Sequence, residues 1–180
     1  MRVLLEGRPG SGKTTVAARL IDLLAERGVD VRGFVTHEER KAGRRVGFIV
    51  EAVDGNRATL ARVSLAGPPR VGKYGVDLEA FERVALPALA SPPLDAVVVV
   101  DELGKMELAS KPFREEVMRL FDAPVALVAT VHVFRHPFTD RLKRRPDVDR
   151  LQVTRENRDA LPGQLAANLA AGATARRRPS

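Results

Sequence analysis

The chain contains no cysteine, no tryptophan and a single tyrosine, and only 4% of its residues are aromatic. Without cysteine there is neither a disulfide framework nor cysteine-ligated zinc, which fits a reducing compartment. Scarce aromatics leave few platforms on which single-stranded bases stack. No apolar run approaches the roughly 18 residues that span a bilayer. The opening "MRVLLEGRPG" turns polar at Glu6, so no charged-then-apolar leader is expected. These absences point to a soluble, cytoplasmic protein with no membrane partner.

Lysine is scarce too: six lysines (13, 41, 73, 105, 111 and 143) leave 24 arginines among 30 basic residues. The net charge of +7 suits a polyanion. An arginine bias beside much alanine also follows from genome composition, however, and three of these charges sit in the tail "ATARRRPS". That tail, 173–180, is expected to be disordered. Residues 1–172 suffice for a single domain with its own core, needing neither metal nor disulfide to fold. Nucleic acid is thus an open but disfavoured partner, and no protein partner is implied.

What is present is an alternation of strand and helix signals. "RVLLEG" (2–7) reads as a strand, and Val16, Leu20, Leu23 and Leu24 share one face of a helix from Lys13 to Glu26, with Gly28 after its end. The stretches 31–38, 45–53 and 58–65 are strand-like and separated by "KAG" and "DGN" turns, which predicts an antiparallel meander. A helix follows Asp77 as N-cap, with Pro87 a possible bend. Valines 97–100 read as a central strand covered on both faces. A helix within 111–121, a strand 125–130, a lid-like basic segment 135–146, a strand 150–154 and a helix from about 156 to 170 complete the chain. The pattern predicts an α/β fold, a mostly parallel sheet between helical layers with an antiparallel insertion.

The sharpest motif is "GRPGSGKT", Gly7 to Thr14, which satisfies G-x-x-x-x-G-K-[ST] between a predicted strand and a predicted helix. Glycines let backbone N–H groups point at phosphate oxygens, and the helix N-terminus adds partial positive charge. This assigns Gly7, Arg8, Pro9, Gly10, Ser11, Gly12, Lys13, Thr14 and Thr15 to phosphate binding. Lys13 would bridge the β- and γ-phosphates, and the Thr14 hydroxyl would ligate magnesium. By average residue usage, chance yields such a match in roughly one chain in a hundred or fewer.

A magnesium-bound triphosphate also needs an acidic anchor at the carboxyl end of a neighbouring strand. In "VVVVDELGKMEL" (97–108) Asp101 takes that place. Glu102, just beyond, is positioned to orient and deprotonate a water in line with the γ-phosphate. Mg²⁺ is then held by Thr14 and Asp101, since His37, His132 and His136 lack the spacing of a metal cluster. For charge on the transition state, Lys105 is the best-placed cation. Arg40, Arg44, Arg45, Arg135, Arg141 and Arg158 are individually weaker candidates. Thr130 or His132, at the end of the following strand, would sense the γ-phosphate or hold the water.

With these residues in view, the chain resembles the small P-loop nucleoside-triphosphatases, described as thermostable enzymes in prokaryotes and as a cancer-related nucleoside-triphosphatase in animals. The matching pieces are the phosphate loop, "GFVTHEERKAGRRVGF" (33–48), "VGKYGVDLEAFE" (71–82), "DELGKMEL" (101–108) and "VTRENRD" (153–159), spanning about residues 1–160. The resemblance implies a RecA-like three-layer core and slow, Mg²⁺-dependent hydrolysis of ATP, GTP, CTP and UTP to diphosphates with loose base choice. It carries Gly7–Thr14, Asp101, Glu102 and Lys105 over as site residues. The segments with Arg40, Arg44 and Asn157 match without a defined role. Leu103 stands where isoleucine is commoner, a volume-conserving change, and His37 stands where the family often has an acid.

Two other readings compete. The same loop serves nucleotide or small-molecule kinases, and the basic segment 135–146 would then close as a lid over a second substrate. The net charge instead suits a nucleotide-gated RNA-binding switch. The adjacent Asp101–Glu102 pair favours hydrolysis.

Overall fold

Valines 97–100 lie near the middle of a nine-stranded sheet in a computed structural model that describes residues 1–177. In chain order the elements are β1 (Arg2–Gly7), α1 (Lys13–Glu26), β2 (Val31–Lys41), β3 (Arg44–Ala52), β4 (Arg57–Arg62), β5 (Arg70–Val71), β6 (Tyr74–Val76) and α2 (Leu78–Leu89). They continue with β7 (Val97–Val100), α3 (Lys111–Asp122), β8 (Ala126–His132), α4 (Pro137–Lys143), β9 (Asp149–Gln152) and α5 (Leu161–Arg177), plus one 3₁₀ turn at Glu107–Ala109. The strand order is β5-β6-β4-β3-β2-β7-β8-β1-β9. From β2 to β9 all neighbours are parallel, whereas β2 to β5 form the antiparallel extension.

The four valines are fully buried because each face of β7 meets its own helical layer. Val97 and Val99 join Val16, Leu20, Leu165 and Leu169 in the core beneath α1 and α5. Val98 and Val100 join Phe81, Phe113, Leu127 and Leu142 on the opposite face. There Phe34, Phe81 and Phe113 meet with ring centroids 5.0 to 5.8 Å apart, a cluster that ties β2 to α2 and α3. Gly33 lets β2 lie this close to β7: at φ +112° its place is open only to glycine, since a Cβ would fall 1.8 Å from the Val99 carbonyl oxygen.

Several boundaries differ from expectation. Asp77 caps α2 as foreseen, accepting from the Ala80 N–H at 2.9 Å, and Pro87 falls within its final turn. The third meander strand stops at Arg62, and the chain then adds the small edge hairpin β5–β6. β8 runs on to His132, which places Thr130 inside the strand and not at its end. The basic segment does not stand free as a lid. Its middle forms α4, capped by His136 Nδ1, which accepts from the Phe138 N–H, and anchored by fully buried Leu142. The last helix begins at Leu161 and runs to Arg177, so residues 173–177, expected to be disordered, are helical; 178–180 lie outside the described residues. No described helix is long and apolar enough to cross a membrane.

Candidate active site

β1, β8 and β7 end side by side, and their carboxyl ends carry the polar residues the sequence singled out. Parallel register sets Gly7 beside His132 and Leu5 beside Thr130, while Val100 pairs with Ala129. Asp101 therefore emerges next to Thr130, whose hydroxyl donates to Asp101 Oδ1 at 2.5 Å and whose carbonyl accepts from the Leu103 N–H at 2.9 Å. Thr130 thus braces Asp101 and the backbone at Leu103, on either side of Glu102.

The glycine-rich turn links β1 to α1. Gly12 sits at φ +101° directly before the helix, and a Cβ there would lie 2.9 Å from the Arg158 side chain, so glycine admits both the turn and the arginine over it. No side chain caps α1 and no acid occupies its first turn, which leaves its N–H donors and partial positive charge directed into the cleft. Pro9, Gly10, Gly12, Lys13, Thr14 and Thr15 line this cleft; Gly7, Arg8 and Ser11 complete the turn, with the Ser11 N–H donating to the Arg8 carbonyl. Lys13 is buried, its Nζ donating to the Gly7 carbonyl at 3.3 Å and lying 3.6 Å from Glu102 Oε2.

The two neighbouring carboxyls differ sharply. Burial pushes the Asp101 carboxyl above its ordinary range, only partly offset by the hydroxyls of Thr130 and Thr14 and the Thr36 N–H. Its Oδ2 is buried and accepts no hydrogen bond among the described residues. Burial pushes Glu102 up as well, but His132 and Lys13 outweigh it and hold that carboxyl below the usual range. His132 Nε2–H donates to Glu102 Oε1 at 2.6 Å.

A third carboxyl, Glu107, received no role from the sequence. The 3₁₀ turn folds it back into the cleft, fully buried. A Cβ on Gly104 would lie 2.7 Å from Glu107 Oε2 and 2.9 Å from Glu102 Oε1, so the two carboxyls share the space over that glycine. Burial, together with the charges of Glu102 and Asp101, pushes Glu107 up to about 8. Nothing in the local sequence marks it, because only the turn reverses its direction. The same holds for Lys143, whose Nζ reaches Glu6 at 2.7 Å and the His132 carbonyl at 2.7 Å, fastening α4 to β1 and β8.

Of the candidate cations, Lys105 lines the cleft, is exposed and has no hydrogen-bond or ion-pair partner among the described residues. Arg45, Arg135 and Arg158 also line it, each with an acidic partner: Glu38, Asp140 and Asp159. Arg40, Arg44 and Arg141 do not.

A family model described as NTPase matches residues 2–166. The chain belongs to this family. Among members of the NTPase family, it is 45% identical over 172 residues to nucleoside-triphosphatase THEP1 of Thermofilum pendens, covering 93% of this chain and 94% of that protein. It is 41% identical to the human cancer-related nucleoside-triphosphatase, covering 88% and 91%. The crystal structure of THEP1 from Aquifex aeolicus superposes with a TM-score of 0.84 at 33% identity, covering 94% of this chain and 99% of that one. The NTPase family is thus reached independently through sequence and through the α/β architecture.

Proposed function

We propose that the protein hydrolyses nucleoside triphosphates to diphosphate and phosphate, with Mg²⁺, loose base choice and slow turnover. The observation that carries this reading is the contact between Lys13 and Glu102, 3.6 Å apart where the phosphate loop meets the end of β7. A phosphate-binding cation and a charged carboxylate are thereby brought to one point, where a γ-phosphate and an attacking water would lie.

The loop N–H groups and Lys13 bind the triphosphate. Its arrival draws Lys13 from Glu102 to the phosphates. Glu102, oriented by His132, then aligns a water and accepts its proton as the new P–O bond forms and the β–γ bond breaks. Asp101 and Thr14 fit a divalent cation: a buried carboxylate with a free oxygen beside a hydroxyl is a hard-oxygen pair, and Mg²⁺ favours one or two carboxylates with phosphates and water as its other ligands. The ion would supply charge neutralisation on the phosphate oxygens. Among the described residues no three His, Cys, Asp or Glu side chains gather to hold a metal by themselves.

The arrangement of the cations supports slow turnover. The three arginines lining the cleft are each paired to an acid, leaving Lys13, Lys105 and the helix N-terminus to stabilise transition-state charge. Loose base choice rests on the placement of the assigned polar groups around phosphate. The test is phosphate release from ATP, GTP, CTP and UTP, with Mg²⁺ and with EDTA. Release from all four that EDTA abolishes is expected; release confined to one base, or surviving EDTA, contradicts the reading. RNA binding finds no further support, and salt-insensitive, weak retention of RNA is expected.

A further inference from the structure

The cleft continues beyond the acidic pair. The phosphate loop follows β1 and the acidic pair follows β7, so the end of β2 and the adjoining β3 lie on the opposite side of Glu102 from the loop. There Thr36, Arg45, Phe48, Val71 and Met106 line the same cleft, which encloses about 690 Å³ in all. Phe48, Val71 and Met106 offer a half-buried apolar wall. Arg45 gives one polar edge, its guanidinium 5.3 Å from the Phe48 ring centre and fixed by Tyr74 Oη and Glu38. Thr36 Oγ1 gives another, buried and without a hydrogen-bond partner among the described residues.

A nucleophilic water occupies only about 30 Å³. The ring-sized apolar wall of Phe48, Val71 and Met106 offers such a water no hydrogen bond and points to a larger, partly apolar occupant of this chamber. If the triphosphate lies with its γ end at Glu102, as the proposed hydrolysis requires, the chamber lies on the side from which a nucleophile attacks in line. Arg45, the guanidinium lining this part of the cleft, is paired with Glu38 at 2.6 Å, which suits a neutral occupant better than one carrying its own phosphate.

We propose that the chamber binds a nucleoside-like acceptor, a flat heterocycle carrying a primary hydroxyl, and that the protein transfers the γ-phosphoryl group to that hydroxyl. The inference rests on the phosphate-loop reading above. The acceptor oxygen forms the new P–O bond while the bridging β–γ bond breaks, and the nucleoside diphosphate leaves with the electron pair. The hydroxyl proton passes to Glu102 and from there to solvent. The heterocycle lies against Phe48 and Met106, and its polar edge meets the Thr36 hydroxyl and Arg45. Water entering in place of the acceptor gives hydrolysis.

The test is incubation with γ-labelled ATP and Mg²⁺, alone and with adenosine, guanosine, cytidine or uridine in turn, separating labelled nucleoside monophosphate from labelled phosphate. A labelled monophosphate is expected from at least one nucleoside. Phe48→Ala should lower that transfer roughly tenfold or more while acceptor-free hydrolysis stays within about threefold. Val71→Trp, which fills the chamber from its edge, should do the same and serves if the first variant does not fold. Acceptor-free hydrolysis with no labelled monophosphate from any of the four overturns this proposal and leaves the hydrolytic reading standing. Transfer undiminished in both variants overturns the chamber as its site. Absence of both hydrolysis and ATP binding overturns the underlying reading as well.

Discussion

Glu102 is held at both carboxylate oxygens: Oε1 accepts from His132 Nε2 at 2.6 Å, and Oε2 lies 3.6 Å from Lys13 Nζ. In the proposed mechanism Lys13 turns to the phosphates when they arrive, while His132 keeps its contact with Glu102. In the proposed hydrolysis His132 would therefore keep the carboxylate aimed during turnover. In His132→Ala, kcat should fall roughly tenfold while KM stays within about threefold, the pattern of a lost transition-state alignment. An increase in KM alone would place His132 in substrate binding instead.

Lys13 is a buried cation, and the proposed mechanism has the phosphates recruit it. Lys13→Ala should weaken binding of a non-hydrolysable triphosphate analogue by at least about a hundredfold, because a charge-assisted contact to phosphate is lost. Calorimetric titration beside an unchanged circular dichroism spectrum checks this.

Glu107 makes stability depend on pH. Its carboxyl ionises in the unfolded chain near the ordinary value of 4.5, but in the folded protein only near 8. Between those values the unfolded state loses a proton that the folded state keeps, so folding weakens as pH rises and the cost levels off above pH 8. Glu107→Gln keeps an acceptor oxygen and removes the titration. Relative to wild type the variant should gain stability from pH 5 to pH 8, by roughly 3–5 kcal/mol at most. Denaturant melts at both pH values test it; a constant difference between the two proteins would refute the assignment.

Glu6 and Lys143 form a buried pair that holds α4 against the ends of β1 and β8. Burial raises the Glu6 carboxyl, and hydrogen bonds from Lys143 and Arg150 more than reverse this, leaving it charged and dependent on both. Lys143→Met should destabilise the fold by about 1–3 kcal/mol, less than for complete isolation of a buried charge, since Arg150 stays within reach. A measurable loss of kcat should accompany it, because Lys143 also fixes the His132 carbonyl.

The parts of this arrangement visible in sequence are those encoded locally. The glycine turn with its flanking strand and helix, and the four-valine run ending in Asp101, need only neighbouring residues to be read. Thr130 and His132 were visible as polar residues near a strand end, but their different contacts depend on the register of β8 against β7, which no local pattern carries. Glu107 was hidden because a 3₁₀ turn, not a spacing rule, brings it beside Glu102. The tail was misread for a related reason. A run of small alanines and charged arginines carries no large apolar residue to mark a buried face, yet both residue types favour helix, and burial of Leu165, Leu169 and Ala173 against the sheet and α1 carries α5 onward to Arg177.

The central claim is that Glu102 accepts the proton of the attacking water. It is tested most directly by comparing wild type with Glu102→Gln, measuring phosphate release from Mg·ATP and binding of a non-hydrolysable analogue in parallel. The amide keeps the shape and removes the base. Binding within about threefold of wild type, with turnover reduced roughly a hundredfold or more, is the predicted result; unchanged turnover in the glutamine variant would contradict it.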